Sequence, residues 1–283
     1  MKARGLLLSP SMIAASLVLL AVVMSAVAAS LLAPYDPLAQ DLLSRRQPPT
    51  LQHLLGTDNY GRDILSRLIY GARTSLQVGL MSVLIGLCLG ASIGLVAGYY
   101  GGITDEVIMR CMDVLLAFPS LILAMVVIVA LGRNLLNAML AIGVWFAPNY
   151  ARIARGTALA LREEAYVEAA RAMGCTNCRI LRRHILPNAL TDIIVYSTLN
   201  IGVAFLMEAA LSFLGLGIQP PAPSWGAMIN DGRGFLQIAP HIVTVPGVAI
   251  TLTVLALNTV GERIRVMLDP KAYRTGRPHR RDR

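Results

Sequence analysis

The sequence contains few charged and few aromatic residues. Only 14% of its 283 residues are charged and 6% are aromatic, whereas 55% are hydrophobic. Soluble domains usually contain about 25% charged residues, so the composition excludes an ordinary soluble domain and indicates a membrane protein. The length suits one membrane domain rather than several.

Lysine is nearly absent, and this excludes one common kind of nucleotide site. A Walker A loop, Gly-x-x-x-x-Gly-Lys-Ser/Thr, needs its lysine to hold the nucleotide phosphates. The two lysines of the chain, Lys2 and Lys271, do not end such a loop. We therefore expect the chain to have no cofactor and to bind no ATP in that way.

Metal and nucleic-acid motifs are also missing. The sequence has neither an H-E-x-x-H motif nor an acidic metal cluster. Cys175 and Cys178 form one C-x-x-C pair, but a zinc site needs four ligands and no second pair exists. The net charge of +9 accompanies no RNA- or DNA-binding motif. We therefore expect no metal and no nucleic-acid partner, and we attribute the positive charge to topology and anionic lipid headgroups.

Long apolar runs dominate the chain instead. Runs of about 20 apolar residues predict helices that cross a bilayer. The sequence predicts an all-α integral membrane protein with six such helices, at residues 12–33, 76–99, 107–131, 135–151, 192–217 and 241–261. The first run also resembles a secretory signal peptide, because "MKARG" precedes it and "AVAAS" lies at its end. Its length of about 22 residues favours a retained helix.

The positions of lysine and arginine predict the orientation. The start of the chain, residues 152–188 and the tail after residue 262 hold 17 of the 25 basic residues. Because basic residues concentrate on the cytoplasmic side, we expect both termini and residues 152–188 to be cytoplasmic. The predicted outside segment 34–75 argues against this, since it carries Arg45, Arg46, Arg62, Arg67 and Arg73. Four aspartates partly balance them: Asp36, Asp41, Asp58 and Asp63.

A charged segment, "EAYVEAARAMGCTNCRILRRHILPN" at 164–188, separates two of the apolar runs. Its first half predicts a helix with four residues on one face: Tyr166, Ala169, Ala170 and Met173. Gly174 is suited to end this helix in the left-handed conformation. Thr176 can cap a second helix, which Pro187 is expected to end and whose apolar stripe consists of Ile180, Leu181 and Ile185. The segment is thus a helix–corner–helix element that either lies on lipid headgroups or docks a soluble partner.

The same segment resembles a known motif. Glu168, Ala169 and Ala170, followed by Gly174 and by Leu186 and Pro187, resemble the EAA motif of permease subunits of ABC importers. His184 stands where the usual pattern has isoleucine. Three other stretches resemble the dipeptide, oligopeptide and nickel branch of that family, in particular its second, C-type permease. They are "LGTDNYGRDILSRLIYGARTSL" at 55–76, "EAALSFLGLG" with "PSWGAMINDGR" at 208–217 and 223–233, and "LDPK" at 268–271.

This resemblance implies a type I ABC importer permease fold and a transport function without an ATPase site. The chain would form half of a pathway for di- or oligopeptides across the bacterial inner membrane. Its partners would be a homologous second permease subunit, two cytoplasmic ATPase subunits that bind the ATP, and a periplasmic or lipid-anchored substrate-binding protein. Residues 218–238 would meet the binding protein. The residues implied in coupling to the ATPases are Glu164, Glu168, Ala169, Ala170, Gly174, Leu186 and Pro187.

The resemblance and the predicted spans together divide the chain into four parts. Residues 1–33 are a cytoplasmic start with the first spanning helix, and residues 34–73 are a periplasmic segment. Residues 74–262 are expected to be the transmembrane domain, with a cytoplasmic coupling segment at 156–190. Residues 263–283 are a basic cytoplasmic tail.

Three further interpretations stay open. Glu208 lies within a predicted span, where an ionisable residue either lines the translocation pathway or forms a structural hydrogen bond between helices. Nickel or another small solute is an alternative substrate. In a different class, the chain is a secondary transporter.

A weaker alternative is an intramembrane hydrolase, since "GASIG" at 90–94 matches the G-x-S-x-G pattern. The same glycines also predict a helix-packing stripe, because they recur every four residues from Gly86 to Gly98.

Overall fold

α-Helices form nearly all of the regular structure. The computed structural model describes residues 9–268, and within them the one strand-like pairing is an isolated bridge between Thr57 and Asp63. The helices are α1 (Pro10–Val27), α2 (Ala29–Leu32), α3 (Ile64–Tyr100), α4 (Gly102–Leu116), α5 (Ser120–Leu131), α6 (Leu135–Leu161), α7 (Ala165–Ala172), α8 (Asn177–Ile180), α9 (Leu186–Phe213), α10 (Trp225–Gly232) and α11 (His241–Leu268). Most of the predicted tail, residues 269–283, lies outside the described residues.

The long helices agree with a membrane protein. Among residues 9–268, four helices are long and apolar enough to cross a membrane: α1, α3, the continuous helical run Asn177–Phe213, and α11. Helices α4 and α5 pass the same criteria only as a pair. Helix α6 has 27 residues, enough length for a sixth span, although its apolar stretch ends at "APNYAR". The described residues are therefore compatible with the six predicted spans.

The third predicted span, 107–131, is wrong as a single straight helix. Helices α4 and α5 meet at an angle of 95°. Pro119 begins the turn into α5, and a proline both lacks an N–H donor and disfavours helical backbone in the residue before it. The bend therefore has a local cause in the "FPS" sequence.

Helix α3 is much longer than its predicted span, 76–99. It begins at Ile64, where the Asp63 carboxylate caps it by accepting a hydrogen bond from the Ser66 N–H at 2.8 Å. Its 37 residues extend over about 55 Å, whereas the hydrocarbon core of a bilayer is about 30 Å thick.

We call the end of the molecule that carries residues 34–63 the outer end and the end that carries residues 162–190 the inner end, following the predicted orientation.

Close packing of α3 against α6 forms the centre of the bundle. A Cβ atom added at Gly90 would collide with the Ala147 carbonyl, and one added at Gly94 would collide with the Ala151 carbonyl. Only glycine permits this approach of the two backbones, which confirms the predicted packing stripe. Ser92 of "GASIG" lies exposed within continuous helix, so the strand–turn–helix context of a nucleophilic serine is not present there.

A second apolar cluster lies toward the outer end. Trp225 of α10 packs edge-on against Phe205 of α9, and its indole N–H donates to the Leu68 carbonyl of α3 at 2.8 Å. Gly71 leaves the space for this indole, because a Cβ there would lie 2.7 Å from the Trp225 ring. The cluster joins α3, α9 and α10, so the chain after α9 folds back onto the spanning helices.

Candidate functional site

The corner of the inner segment is formed as predicted. Gly174 follows α7 with φ +79°, a left-handed conformation that favours glycine. The Cys175 N–H donates to the Ala170 carbonyl at 3.1 Å and so satisfies the end of the helix. Thr176 Oγ1 accepts a hydrogen bond from the Arg179 N–H and caps α8. Two short helices thus meet at a fixed angle.

The second arm does not end at Pro187, contrary to the prediction. A π-helical turn at Leu181–Ile185 follows α8 directly, and α9 then begins at Leu186 with Pro187 in its first turn. Pro187 comes directly after Leu186, whose N–H bonds to the Leu181 carbonyl five residues back, so the regular i→i−4 ladder that a proline breaks is already interrupted there. The second arm is therefore continuous with a spanning helix, with no loop between them.

The apolar side of the inner segment belongs to the main core. Four of its residues are almost inaccessible to solvent: Val167, Ala170, Ile180 and Ile185. They share one hydrophobic cluster with Tyr99 of α3 and Ala158 of α6. Ala170 is only 1% exposed, whereas Met173 is 78% exposed. The predicted common face of these two residues with Tyr166 and Ala169 is therefore wrong for Ala170, which faces the core of its own chain.

Polar contacts hold the same segment against the spanning helices. The Tyr99 hydroxyl donates to Asn177 Oδ1 at 2.9 Å, and Arg162 donates to the Gly98 carbonyl at 3.2 Å. Nearby, Arg155 of α6 binds Asp105 of α4 through two hydrogen bonds of 2.5 and 2.6 Å. The segment is therefore seated on the ends of α3 and α6, and α6 is itself tied to α4 beside it.

The opposite side of α7 is a charged surface. Glu164, Glu168, Ala169 and Met173 are exposed, as is Pro187, while Leu186 is half-buried. Within residues 9–268, neither Glu164 nor Glu168 has an ion-pair partner. These two carboxylates, one helical turn apart, repel each other unless a cation faces them. We call Glu164, Glu168, Ala169 and Met173 the acidic face of α7.

Charged residues at the outer end are arranged differently. Arg62 donates to the Asp58 carboxylate at 2.5 Å and to the Asp231 carboxylate of α10 at 3.2 Å. Arg67 lies 3.5 Å from the same Asp58 carboxylate and donates to the Pro37 carbonyl at 3.1 Å. Asp58, Arg62 and Arg67 are each at most 5% exposed. We call these three residues and Asp231 the outer ion network.

A comparison with family models assigns the chain to a family. The family model for the inner membrane component of binding-protein-dependent transport systems matches residues 90–274. The chain belongs to this family. It is therefore a multi-pass permease of the inner membrane and the membrane component of an ABC importer. The matched range begins later and ends later than the predicted transmembrane domain, 74–262, whose bounds stay a prediction.

The sequences of known permeases align with most of the chain. It is 45% identical to the glutathione transport system permease protein GsiD of Pectobacterium atrosepticum over 92% of the chain and 86% of that relative. It is 49% identical to the dipeptide transport system permease protein DppC of Alkalihalophilus pseudofirmus over 81% of the chain and 75% of that relative. A structure of the MetNI methionine ABC transporter in an inward-facing conformation matches with a TM-score of 0.56 and 22% identity, covering 72% of this chain and 96% of that one. The permease has the type I ABC importer fold.

Glu208 is enclosed by serine hydroxyls inside the permease. It is 2% exposed, and its two carboxyl oxygens accept hydrogen bonds from Ser75 of α3 at 3.1 Å and from Ser212 at 2.7 Å. The bond from Ser75 joins α3 to α9, as the structural interpretation of Glu208 requires, and the bond from Ser212 lies within α9. A role of Glu208 in the translocation pathway stays a prediction.

The outer ion network is the part of the site that sequence reasoning missed. Asp58 and Arg62 are four residues apart, a local spacing that could have been noticed in "TDNYGRD". Asp231 is 169 residues from Arg62 and gives no local signal of its contact. Helix α10 is therefore tied to the start of α3 by a pairing that only the folded chain shows.

Proposed function

We propose that this permease forms half of an ATP-driven import pathway for di- or oligopeptides. Relatives that match most of the chain are named for glutathione and dipeptide transport, and both of these substrates are peptides. The chain would act with a homologous second permease subunit, with which it forms a heterodimer. A periplasmic or lipid-anchored binding protein would deliver the peptide.

The acidic face of α7 is the observation that carries the coupling part of the proposal. It is exposed and unpaired within the described residues, while the other side of α7 is buried in the main core through Val167 and Ala170. A partner that binds Glu164 and Glu168 would therefore pull or push on the spanning helices directly. We assign this partner to two cytoplasmic ATPase subunits, which would bind the ATP.

Continuity of the helices supports force transmission. The run Asn177–Phe213 passes without a loop from the inner segment into the bundle. Gly174 sets the angle between α7 and this run. A motion of the ATPase subunits would thus reach α9, and with it Glu208, through packed helix.

Orientation is the first test of this proposal. Both termini and residues 156–190 should be cytoplasmic, and the outer end should face the periplasm. In a variant without native cysteines, a cysteine placed at Arg45 should react with an impermeant thiol reagent in intact cells. One placed at Arg280 should react only after permeabilisation. The reverse pattern would contradict the model.

Transport itself is tested by reconstitution. The permease, expressed with the ATPase and permease subunits encoded beside it, should copurify with both and should import a radiolabelled dipeptide into liposomes when the loaded binding protein is present. Calorimetry on that binding protein should show peptide binding. Import of nickel or another small solute without peptide import would contradict the proposed substrate.

A further inference from the structure

Two exposed arginines without an ion-pair partner among the described residues line the same groove at the outer end. Of the arginines that oppose the predicted orientation, Arg62 and Arg67 are held in the outer ion network, and Arg46 lies over the Phe235 ring at 5.1 Å. Arg73 of α3 is exposed and has no ion pair within residues 9–268, and the same is true of Arg133 between α5 and α6. Both arginines line one groove of about 490 Å³.

The groove has the size and the lining of a ligand site. Sites for small molecules commonly enclose about 300–1,000 Å³. Its walls come from three separate parts of the chain: the outer part of α3, the connection between α5 and α6, and residues 218–222. Most of its lining surface is apolar, and its polar groups come from six of the nine lining residues, including Gln77 and Gln219. Ligand sites commonly combine a mostly apolar lining with a few polar groups that orient the ligand.

The arginines are presented by rigid supports. The backbone around Arg133 is fixed because the Asn137 amide donates to the carbonyls of Leu131 and Gly132 at 2.8 and 2.9 Å. Asn134 caps α6 by accepting from the Asn137 N–H at 2.8 Å. Gln219 is held by a 3.0 Å hydrogen bond from its amide to the Gly217 carbonyl. Groups held in place before binding lose less conformational entropy when a ligand arrives.

We propose that Arg73 and Arg133 bind the free carboxylate of the transported peptide as it enters the permease. A guanidinium offers several N–H donors in a plane that matches a carboxylate, and the amides of Gln77 and Gln219 suit the peptide backbone. The unpaired positive charge also favours an anionic end over a neutral one. The inference rests on the proposed peptide substrate and adds to it the chemical group that the permease recognises.

The first experiment compares two peptides in the reconstituted complex. A radiolabelled tripeptide and its C-terminal amide are each supplied on saturating binding protein, and the ratio of the two uptake rates is measured. Arg73→Gln and Arg133→Gln should each lower the acid-to-amide ratio about fivefold, the size expected for one partly solvated charge contact. Arg73→Lys, which keeps the charge, should retain most of the preference. Arg45→Gln is the matched control, because Arg45 is exposed at the same end but does not line the groove.

The second experiment identifies what occupies the groove. The photoreactive residue p-benzoylphenylalanine replaces Gln77, and the complex is irradiated during turnover. Cross-linking to the radiolabelled tripeptide, reduced in the Arg73→Gln background, supports the proposal. Cross-linking only to lipid, or only to the second permease subunit, would overturn it.

The outcomes separate the two levels of inference. If the native complex imports no peptide at all, the proposed peptide substrate is wrong. If it imports peptides but the Arg73 and Arg133 variants keep the acid-to-amide ratio of Arg45→Gln, only the carboxylate site is wrong.

Discussion

At the outer end, Asp58, Arg62 and Arg67 are buried and paired with one another, whereas at the inner end Glu164 and Glu168 are exposed and unpaired within residues 9–268. The outer charges connect α3 to α10 through Asp231. The inner carboxylates lie on a helix whose other side is buried in the main core through Val167 and Ala170. Charged residues are thus buried and paired at one end of the chain and exposed and unpaired at the other.

The difference separates structural charges from charges available to a partner. A buried charge is tolerated only when it is paired and hydrogen-bonded, so the outer network satisfies itself inside the permease. The inner segment is held by Val167, Ala170 and its polar contacts, and this leaves its acidic face free. Substitutions should therefore affect folding at the outer end and transport at the inner end.

Loss of a network charge should have the largest effect. Asp58→Asn would leave Arg62 and Arg67 buried with one carboxylate fewer, and breaking a buried pair typically costs about 3 kcal/mol or more. We expect a large fall in the yield of assembled complex and in its thermal stability, measured by size-exclusion chromatography after heating. Glu262→Gln is the control, because the Glu262–Arg265 pair is exposed and long at 3.7 Å. Equal thermal stability of the two variants would contradict the structural role assigned to the buried charges at the outer end.

Changing the corner of the inner segment should abolish transport without loss of the fold. A Cβ at Gly174 meets no atom within 4 Å, so only its backbone conformation, φ +79°, opposes another residue. Gly174→Val should cost about 1 kcal/mol or more locally, tilt α7, and lower uptake at least about tenfold while the complex still assembles. Gly174→Asn, which tolerates this conformation, should keep most of the uptake. Equal uptake by the two variants would show that the angle is unimportant.

Glu208 tests whether a buried polar residue can also serve transport. In Glu208→Gln, the hydroxyls of Ser75 and Ser212 can turn to bind the amide, so assembly should be kept. Uptake in liposomes should fall about threefold if the charge is part of the pathway. Ser75→Ala is the companion variant, since it removes one bond to the carboxyl and keeps the charge. Loss of the assembled complex in Glu208→Gln would instead assign Glu208 a structural role.

Sequence reasoning succeeded where the cause was local. The left-handed Gly174, the Thr176 cap and the glycine stripe of α3 each depend on residues within a few positions of one another. It failed for Pro187, because a proline that ends a helix and one in the first turn of the next helix give the same pattern. It also placed Ala170 on the same face as Ala169 and Met173, since a helix of eight residues with small side chains on several faces does not show which face is buried.

Long-range features were out of reach for a different reason. The contact of Arg62 with Asp231, and the enclosure of Glu208 by Ser75, depend on which helices pack together. Composition and spacing predicted the membrane class and most of the spans, but they do not specify neighbours. The bend at Pro119 has a local cause, since the proline in "FPS" is typical of a helix break. The uninterrupted apolar composition of residues 107–131 nevertheless predicts one span.

The most direct test of the account is ATP hydrolysis and peptide uptake by Glu168→Lys, measured in the same reconstituted liposomes. Reversing an exposed charge should leave the complex folded and the basal hydrolysis of its ATPase subunits unchanged. Stimulation by loaded binding protein should be lost and uptake should fall about tenfold or more, because the partner surface would meet a charge of the wrong sign. Arg45→Glu, a charge reversal at the outer end, should retain both activities. Native uptake and stimulation in Glu168→Lys would show that α7 only lies on lipid headgroups and would contradict the docking of the ATPase subunits at its acidic face.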